Sequence, residues 1–285
     1  MISLLKKIDN FVLLNANIFI MTCLALALPL KAIGNVTMAA PEPATGWQGK
    51  PEVTANQYMA VTANPIATQV AVDVLSTGGN AIDAMVAAQL VLNLVEPQSS
   101  GIGGGAFLVY WDAEKKILQT FDGRETAPAL ADEDYFRKPS GDLLKWWQAR
   151  IGGRAVGVPG TLGLLHMAHR QFGDHHWAEL FQPAIDLARE GFSVSPRLSR
   201  SIAGASKYLK TFPEAAEYFF TQAAEPLPVG YILKNPAFAE TLSLIANNGP
   251  SVFYDGPIGD KILESLSNTS ELPSLMTKDD LRAYQ

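Results

Sequence analysis

The 285-residue chain contains one cysteine, Cys23, and four histidines. Cys23 sits inside the apolar run Ile18 to Leu30, so everything after that run is free of thiols. A disulfide framework, a cysteine nucleophile and a cysteine metal site are therefore excluded from the rest of the chain. A cysteine inside the apolar stretch, rather than just after it, also argues against lipid attachment. His166, His169, His175 and His176 cluster in sequence, but HExxH is absent. Three or four converging ligands are needed to hold a metal, so partly exposed imidazoles near a helix end are expected here rather than a metal site. No GxSxG elbow presents a serine nucleophile.

Charge is sparse as well. Charged residues make up 18% of the chain and the formal net charge is −6, with no basic patch interleaved with aromatics, which disfavours a nucleic-acid partner. With 48% hydrophobic residues the chain is nonetheless a folding sequence, long enough for one large domain or two small ones.

The N-terminus has a purpose of its own. Lys6 and Lys7 precede the apolar core Ile18 to Leu30, and small residues follow around Met38-Ala39-Ala40. Residues 1–40 thus have the form of a signal peptide, which places the protein in the periplasm or outside the cell. The other reading is an uncleaved membrane anchor: Phe11 to Leu14 would lengthen the run, although Asn15 and Asn17 interrupt it. Residues 41–57, with three prolines, are expected to be an extended lead-in.

The centre of the chain is residues 98–128. Gly101, Gly103, Gly104 and Gly105 form a loop that needs either positive φ or close backbone approach. A strand follows the loop and no lysine comes before Lys115, so neither a dinucleotide fingerprint nor a phosphate loop fits, and no cofactor is expected. The apolar runs Ala106 to Trp111 and Ile117 to Phe121, split by a charged turn, predict a hairpin. Its second strand delivers Asp122-Gly123-Arg124-Glu125 where a sheet edge meets a loop. The planar guanidinium of Arg124 matches a substrate carboxylate, and it equally suits a structural pair with Asp122 or Glu125.

Around this centre, Tyr58 to Ala63 reads as a strand. Asn64-Pro65, Ser195-Pro196 and Asn235-Pro236 each read as a cap with proline at the first helical position. Asn80 and Asp83 open a helix over Ala81 to Val95, apolar on most faces and therefore buried, meeting its neighbours through Ala84, Ala87 and Ala88. Trp146-Trp147 is expected in the core, with a cleft wall as the other reading. Gly152 to Gly160 reads as a short strand ended by Pro159. Helices are expected over Thr161 to Phe172, Trp177 to Arg189 and Ile258 to Leu266. Thr277 and Asp280 open one more helix, which has only begun when the sequence stops at Gln285, so a continuation is expected.

The run from Thr62 to Trp111, DGRETAP at 122–128, AVGVPGTLGLL at 155–165, FQPAIDLAREGF at 181–192 and LMTKDDLRAYQ at 275–285 together resemble the large-subunit half of the gamma-glutamyltranspeptidase family. The resemblance covers residues 55–285. It implies an α+β fold, the αββα sandwich of N-terminal-nucleophile hydrolases, of which residues 58–285 would be an incomplete, large-subunit part ending before the processing site. Members of that family are precursors that cut themselves, and the new N-terminal threonine of the small subunit attacks the γ-glutamyl amide of glutathione. Such a threonine uses its own α-amine as base, so neither a histidine nor a cysteine is required.

Carried onto this sequence, the family's DxRExAP motif makes Arg124 the binder of the substrate α-carboxylate, with Asp122, Glu125, Ala127 and Pro128 matching. Gly123 departs from the bulkier residues found there and is expected to loosen the local backbone. The nucleophile and the residues reading the amino group would lie in the missing C-terminal half, which is the implied partner. Within the superfamily an acylase of glutaryl-type amides remains the alternative, and outside it a non-catalytic binding or structural fragment.

Overall fold

The computed structural model describes residues 52–268 and 273–284. The expected targeting segment, residues 1–40, with Cys23, and most of the expected lead-in lie outside the described residues. Residues 52–57 of the lead-in are exposed and have neither helix nor strand.

Two capped helices come first. In α1 (Pro65–Ser76) the Asn64 side chain accepts from the Ile66 N–H at 3.0 Å, with Pro65 in the first turn. Removing such a cap costs about 1 kcal/mol. Gly78, at φ +100°, turns the chain into α2 (Ala81–Val95). There Asn80 accepts from Ile82 and Asp83, and the Asp83 carboxylate accepts from the Asn80 N–H, closing a capping box. Asp83 is fully buried and also takes the Asp174 N–H.

The hairpin follows: β1 (Ala106–Asp112) pairs antiparallel with β2 (Ile117–Gly123), Leu108 opposite Phe121 and Trp111 opposite Leu118. Beyond it lie α3 (Trp146–Ala149), a 3-10 turn (Gly153–Ala155), α4 (Thr161–Phe172), a second 3-10 turn (Trp177–Phe181) and α5 (Gln182–Glu190). Then come β3 (Phe192–Ser193), α6 (Pro196–Leu209), α7 (Pro213–Phe219) and β4 (Ile232–Leu233), which pairs with β3. The last helices are α8 (Pro236–Asn248), α9 (Ser251–Tyr254), α10 (Pro257–Asn268) and α11 (Lys278–Arg282). Ser195 and Asn235 cap α6 and α8 as their sequences predict.

The core forms around α2, which packs on α1, α4 and α5. Ala71, Ala84 and Ala88 make the α1–α2 contact, and their small side chains let the two helices approach closely. Helix α4 lies across one face of the hairpin, where Tyr110 and Phe121 meet Phe172 with ring centroids 4.6 and 6.2 Å apart. The opposite face carries Phe107, Val109, Trp111 and Leu118, all exposed. Strand alternation thus gives the hairpin one covered face and one bare apolar face.

Several expectations are corrected. Tyr58 to Ala63 is not a strand: it finds no ladder partner among the described residues, and Val61 is 83% exposed. Trp146 and Trp147 are not core. The one-turn α3 buries nothing; the Arg150 guanidinium covers Trp146 at 4.1 Å, and Trp147 lines a surface cleft with Leu144, Ile151 and Phe212. Gly152 to Gly160 makes a 3-10 turn and a single bridge, Val158 to Thr126, because Gly152 at φ +98° turns the chain before a ladder can extend.

The helix expected over Trp177 to Arg189 is broken into a 3-10 turn and α5. Pro183 supplies no N–H and its ring crowds the preceding turn. The glycine loop uses only one of its two predicted options. None of its glycines has positive φ, but a Cβ on Gly105 would fall 2.5 Å from Glu125 Oε2 and 2.8 Å from the Gly123 carbonyl oxygen. Gly123 does not loosen the backbone either: it is buried in β2, and its missing Cβ is what lets Leu164 of α4 approach.

Candidate functional site

Arg124 follows the last residue of β2. Its N–H donates to Asp122 Oδ1 at 2.9 Å, and its carbonyl oxygen accepts from the Tyr284 hydroxyl at 2.8 Å. Two residues on, Thr126 exchanges both backbone hydrogen bonds with Val158, and Ala129 N–H donates to Asp280 Oδ1 at 2.7 Å. The backbone of residues 124–129 is therefore tied by five hydrogen bonds, one of them to Asp122 and four to more distant residues.

Its guanidinium is free by comparison. The Arg124 side chain is 69% exposed and makes no side-chain hydrogen bond among the described residues; its ion pair runs from Nε to Glu125 Oε2 at a long 3.6 Å. Both readings of this arginine thus find some support, a loose structural pair and a solvent-facing donor. Exposed pairs of this kind contribute about 1 kcal/mol or less, so the head can be taken over by a ligand carboxylate at small cost. The Glu125 carboxylate rests against Gly104 and Gly105, and at Gly105 a Cβ would intrude on it. Gly104 in turn accepts from the Gly160 and Thr161 N–H groups at 2.9 and 3.0 Å, which joins the glycine loop to the start of α4.

A cleft of roughly 430 Å³ opens alongside, lined by Asp122, His166, Arg170, Tyr254 and Tyr284. Arg124 is not among its lining residues; it stands at the end of the hairpin that carries the bare apolar face. Burial raises the Tyr284 phenol above its ordinary value, and the Asp122 and Glu125 charges push it the same way, so it stays a neutral donor to Arg124. Asp280 goes down. Burial alone would raise it, but the hydrogen bonds from Ala129 and Thr277 outweigh that effect.

Three of the four histidines make contacts within the fold. His169 Nε2 faces the His175 carbonyl at 2.8 Å, so that nitrogen carries the proton, and it lies 4.0 Å from Asp83. His175 faces Glu179 at 3.7 Å, and His166 packs edge-on against Trp177 and is lowered by burial, then by Arg170 and His169. Among the described residues, no three His, Cys, Asp or Glu side chains are grouped to hold a metal. No helix among them is long and apolar enough to cross a membrane.

Sequence reading placed Arg124 directly after the second hairpin strand, where it stands, and missed what holds its backbone. Tyr284 lies 160 positions away and Asp280 is 151 from Ala129, separations that no local motif encodes. Tyr254, stacked on Tyr284 with ring centroids 5.7 Å apart and planes within 3°, carried no signal at all.

Helices packed on a two-stranded hairpin give the chain the α+β architecture of the N-terminal-nucleophile hydrolases. Solved structures share this arrangement: gamma-glutamyltranspeptidase of Helicobacter pylori superposes with a TM-score of 0.77 at 29% identity, covering 82% of this chain and 66% of that one. Cephalosporin acylase from Bacillus halodurans gives 0.72 at 30%, covering 87% and 46%. The profile of the family described as Gamma-glutamyltranspeptidase matches residues 67–285, and the chain belongs to that family. The glutathione hydrolase proenzyme of Bacillus subtilis (strain 168) is 39% identical over 227 residues, 79% of this chain and 38% of the relative. The chain thus spans well under half the length of that relative.

Proposed function

We propose that this chain is the large-subunit part of a γ-glutamyltransferase or glutathione hydrolase, which transfers the γ-glutamyl group of glutathione or a related amide to water or to an amino acid or peptide. The observation that carries the reading is the solvent-facing guanidinium of Arg124 on an immobilised backbone, inside the DGRETAP segment. Arg124 would hold the substrate α-carboxylate by charge-assisted hydrogen bonds. The attacking threonine, its α-amine as base and the groups reading the substrate amine come from the small subunit, outside these 285 residues. The bare face of the hairpin suits that partner, since exposed apolar patches of this kind mark interaction surfaces. Residues 1–40 would direct export to the periplasm or beyond, or anchor the protein if left uncleaved. No cofactor is required, because the chemistry is nucleophilic attack by a threonine on an amide.

A glutaryl-type acylase is the second reading, favoured by the similarity to the cephalosporin acylase. Glutaryl and γ-glutamyl groups both end in a carboxylate that Arg124 can hold; only the latter carries an α-amine. Hydrolysis of a γ-glutamyl anilide against a glutaryl anilide, with the chain complemented by its small subunit, decides between them. Preference for the γ-glutamyl substrate is expected, and preference for the glutaryl one would replace this reading.

A further inference from the structure

The segment Thr277 to Tyr284 touches the Arg124 loop twice. Tyr284 donates to the Arg124 carbonyl at 2.8 Å, and Asp280 accepts from the Ala129 N–H at 2.7 Å, so the two contacts bracket residues 124–129. Both contacts lie at the exposed surface, but each partner is held by further contacts. Asp280 is itself fixed by the Thr277 N–H and hydroxyl, both at 2.7 Å. The Tyr284 ring stacks on Tyr254, whose hydroxyl donates to the Pro159 carbonyl at 2.9 Å and accepts from the Gly163 N–H at 3.0 Å. A Cβ on Gly160 would fall 2.0 Å from the Tyr284 hydroxyl and 2.1 Å from the Gly123 carbonyl oxygen, so only glycine lets these chains meet. Leu281 is fully buried and anchors the segment in a small cluster with Val158, Leu266 and Met276. Val158 is the bridge partner of Thr126, so that cluster also supports the loop from its other strand.

Resting on the role proposed above for Arg124, we infer that Thr277–Tyr284 is a clamp that sets the position of the carboxylate-binding arginine, with Tyr284 as its positioning residue. The guanidinium ends a flexible side chain with weak lateral restraint, the 3.6 Å contact to Glu125. Its placement therefore depends on where the backbone of residue 124 is held. A binding group must sit within about 0.5 Å of its productive position, and a carbonyl fixed by a distant, stacked tyrosine supplies that restraint. Tyr284 acts through Arg124 and touches no substrate atom.

The test uses Tyr284→Phe, which keeps the ring stack and removes only the donor. In the 285-residue chain, hydrogen exchange of peptides covering 123–130 should quicken by about three- to tenfold, the value of one lost neutral hydrogen bond, while peptides covering Ala81 to Val95 stay unchanged. Unchanged exchange at 123–130 overturns the clamp. With the small subunit supplied, KM for a γ-glutamyl anilide should rise by a similar three- to tenfold with kcat within about twofold. The 4-aminobutyryl anilide, which lacks only the α-carboxylate, should be turned over equally by wild type and Tyr284→Phe. Equal losses on both substrates would reduce Tyr284 to a structural residue and overturn the inference. Arg124→Ala run alongside separates the two layers: if it abolishes discrimination for the carboxylate and Tyr284→Phe does not weaken it, the clamp alone fails; if Arg124→Ala leaves discrimination intact, the proposed role of Arg124 fails.

Discussion

A Cβ built on Gly123 would lie 2.4 Å from Leu164 Cβ, so at the last residue of β2 helix α4 packs directly against the hairpin backbone. Arg124 follows directly, and the place where it leaves the sheet is therefore set by helix packing. Gly123→Ala should destabilise the chain by about 1–3 kcal/mol or more through overpacking. Gly103→Ala, with nothing within 4 Å of the added carbon, should stay within about 0.5 kcal/mol of wild type. Denaturant midpoints of the two variants check this, and equal midpoints would mean that α4 does not seat on Gly123.

Ala88→Leu tests the small-residue contact between α1 and α2. Ala88 is 5% exposed and shares its cluster with Ala71 and Ala84, leaving no space for three more carbons. The expected cost is about 1–3 kcal/mol, read from chemical denaturation. A neutral result would show that the two helices can move apart freely.

How much of this was legible in the sequence depends on the range of the interaction. Asn64, Asn80, Ser195, Asn235 and Thr277 cap their helices as read, because a cap and its amide lie two or three residues apart. The hairpin was legible for the same reason, its two apolar runs flanking a short turn. Tyr58 to Ala63 has strand composition, but a strand requires a partner and none adjoins it among the described residues. Trp146 and Trp147 have core composition, but a single turn of helix has no opposing layer to bury them. At the site, Arg124 was readable from its place after a strand and from its motif, whereas Tyr284, Tyr254 and Asp280 reach it only through folding.

The Asp280 contact gives the clamp a pH dependence. Its carboxyl is held below the ordinary range, so the contribution is fully present above the unfolded-state value of about 3.9 and is lost as pH falls through the lower folded-state value. Stability measured by denaturation from pH 7 down to pH 2 should decline in that acid window, after a separate fall as pH drops through the unfolded histidine value of about 6.5, where His166, lowered by burial, takes up its proton more readily unfolded than folded. Asp280→Ala should remove part of the acid-side slope. An identical pH profile in that variant would mean that the carboxylate does not couple to folding.

Trp111 reports on the bare hairpin face. It is 56% exposed beside Val109 and opposite Leu118, so its emission should be that of a wet indole. Adding the small subunit should shift the Trp111 contribution, taken as the difference between wild type and Trp111→Phe, to shorter wavelength as the face is covered. An unchanged difference spectrum on complex formation would place the partner elsewhere.

In the function proposed above, these residues would supply the carboxylate-binding half of a γ-glutamyl-processing site and the small subunit its nucleophile. The measurement is release of the chromogenic amine from a γ-glutamyl anilide by residues 41–285, with and without the small-subunit polypeptide. No turnover by the chain alone is expected, because a bound substrate without an aligned nucleophile gains none of the proximity that makes amide cleavage fast. Turnover is expected once the small subunit is supplied, with a loss of about 2–5 kcal/mol of substrate binding in Arg124→Ala. Turnover by the chain alone that disappears in Arg124→Ala would contradict the proposed function, because the nucleophile would then lie within these residues.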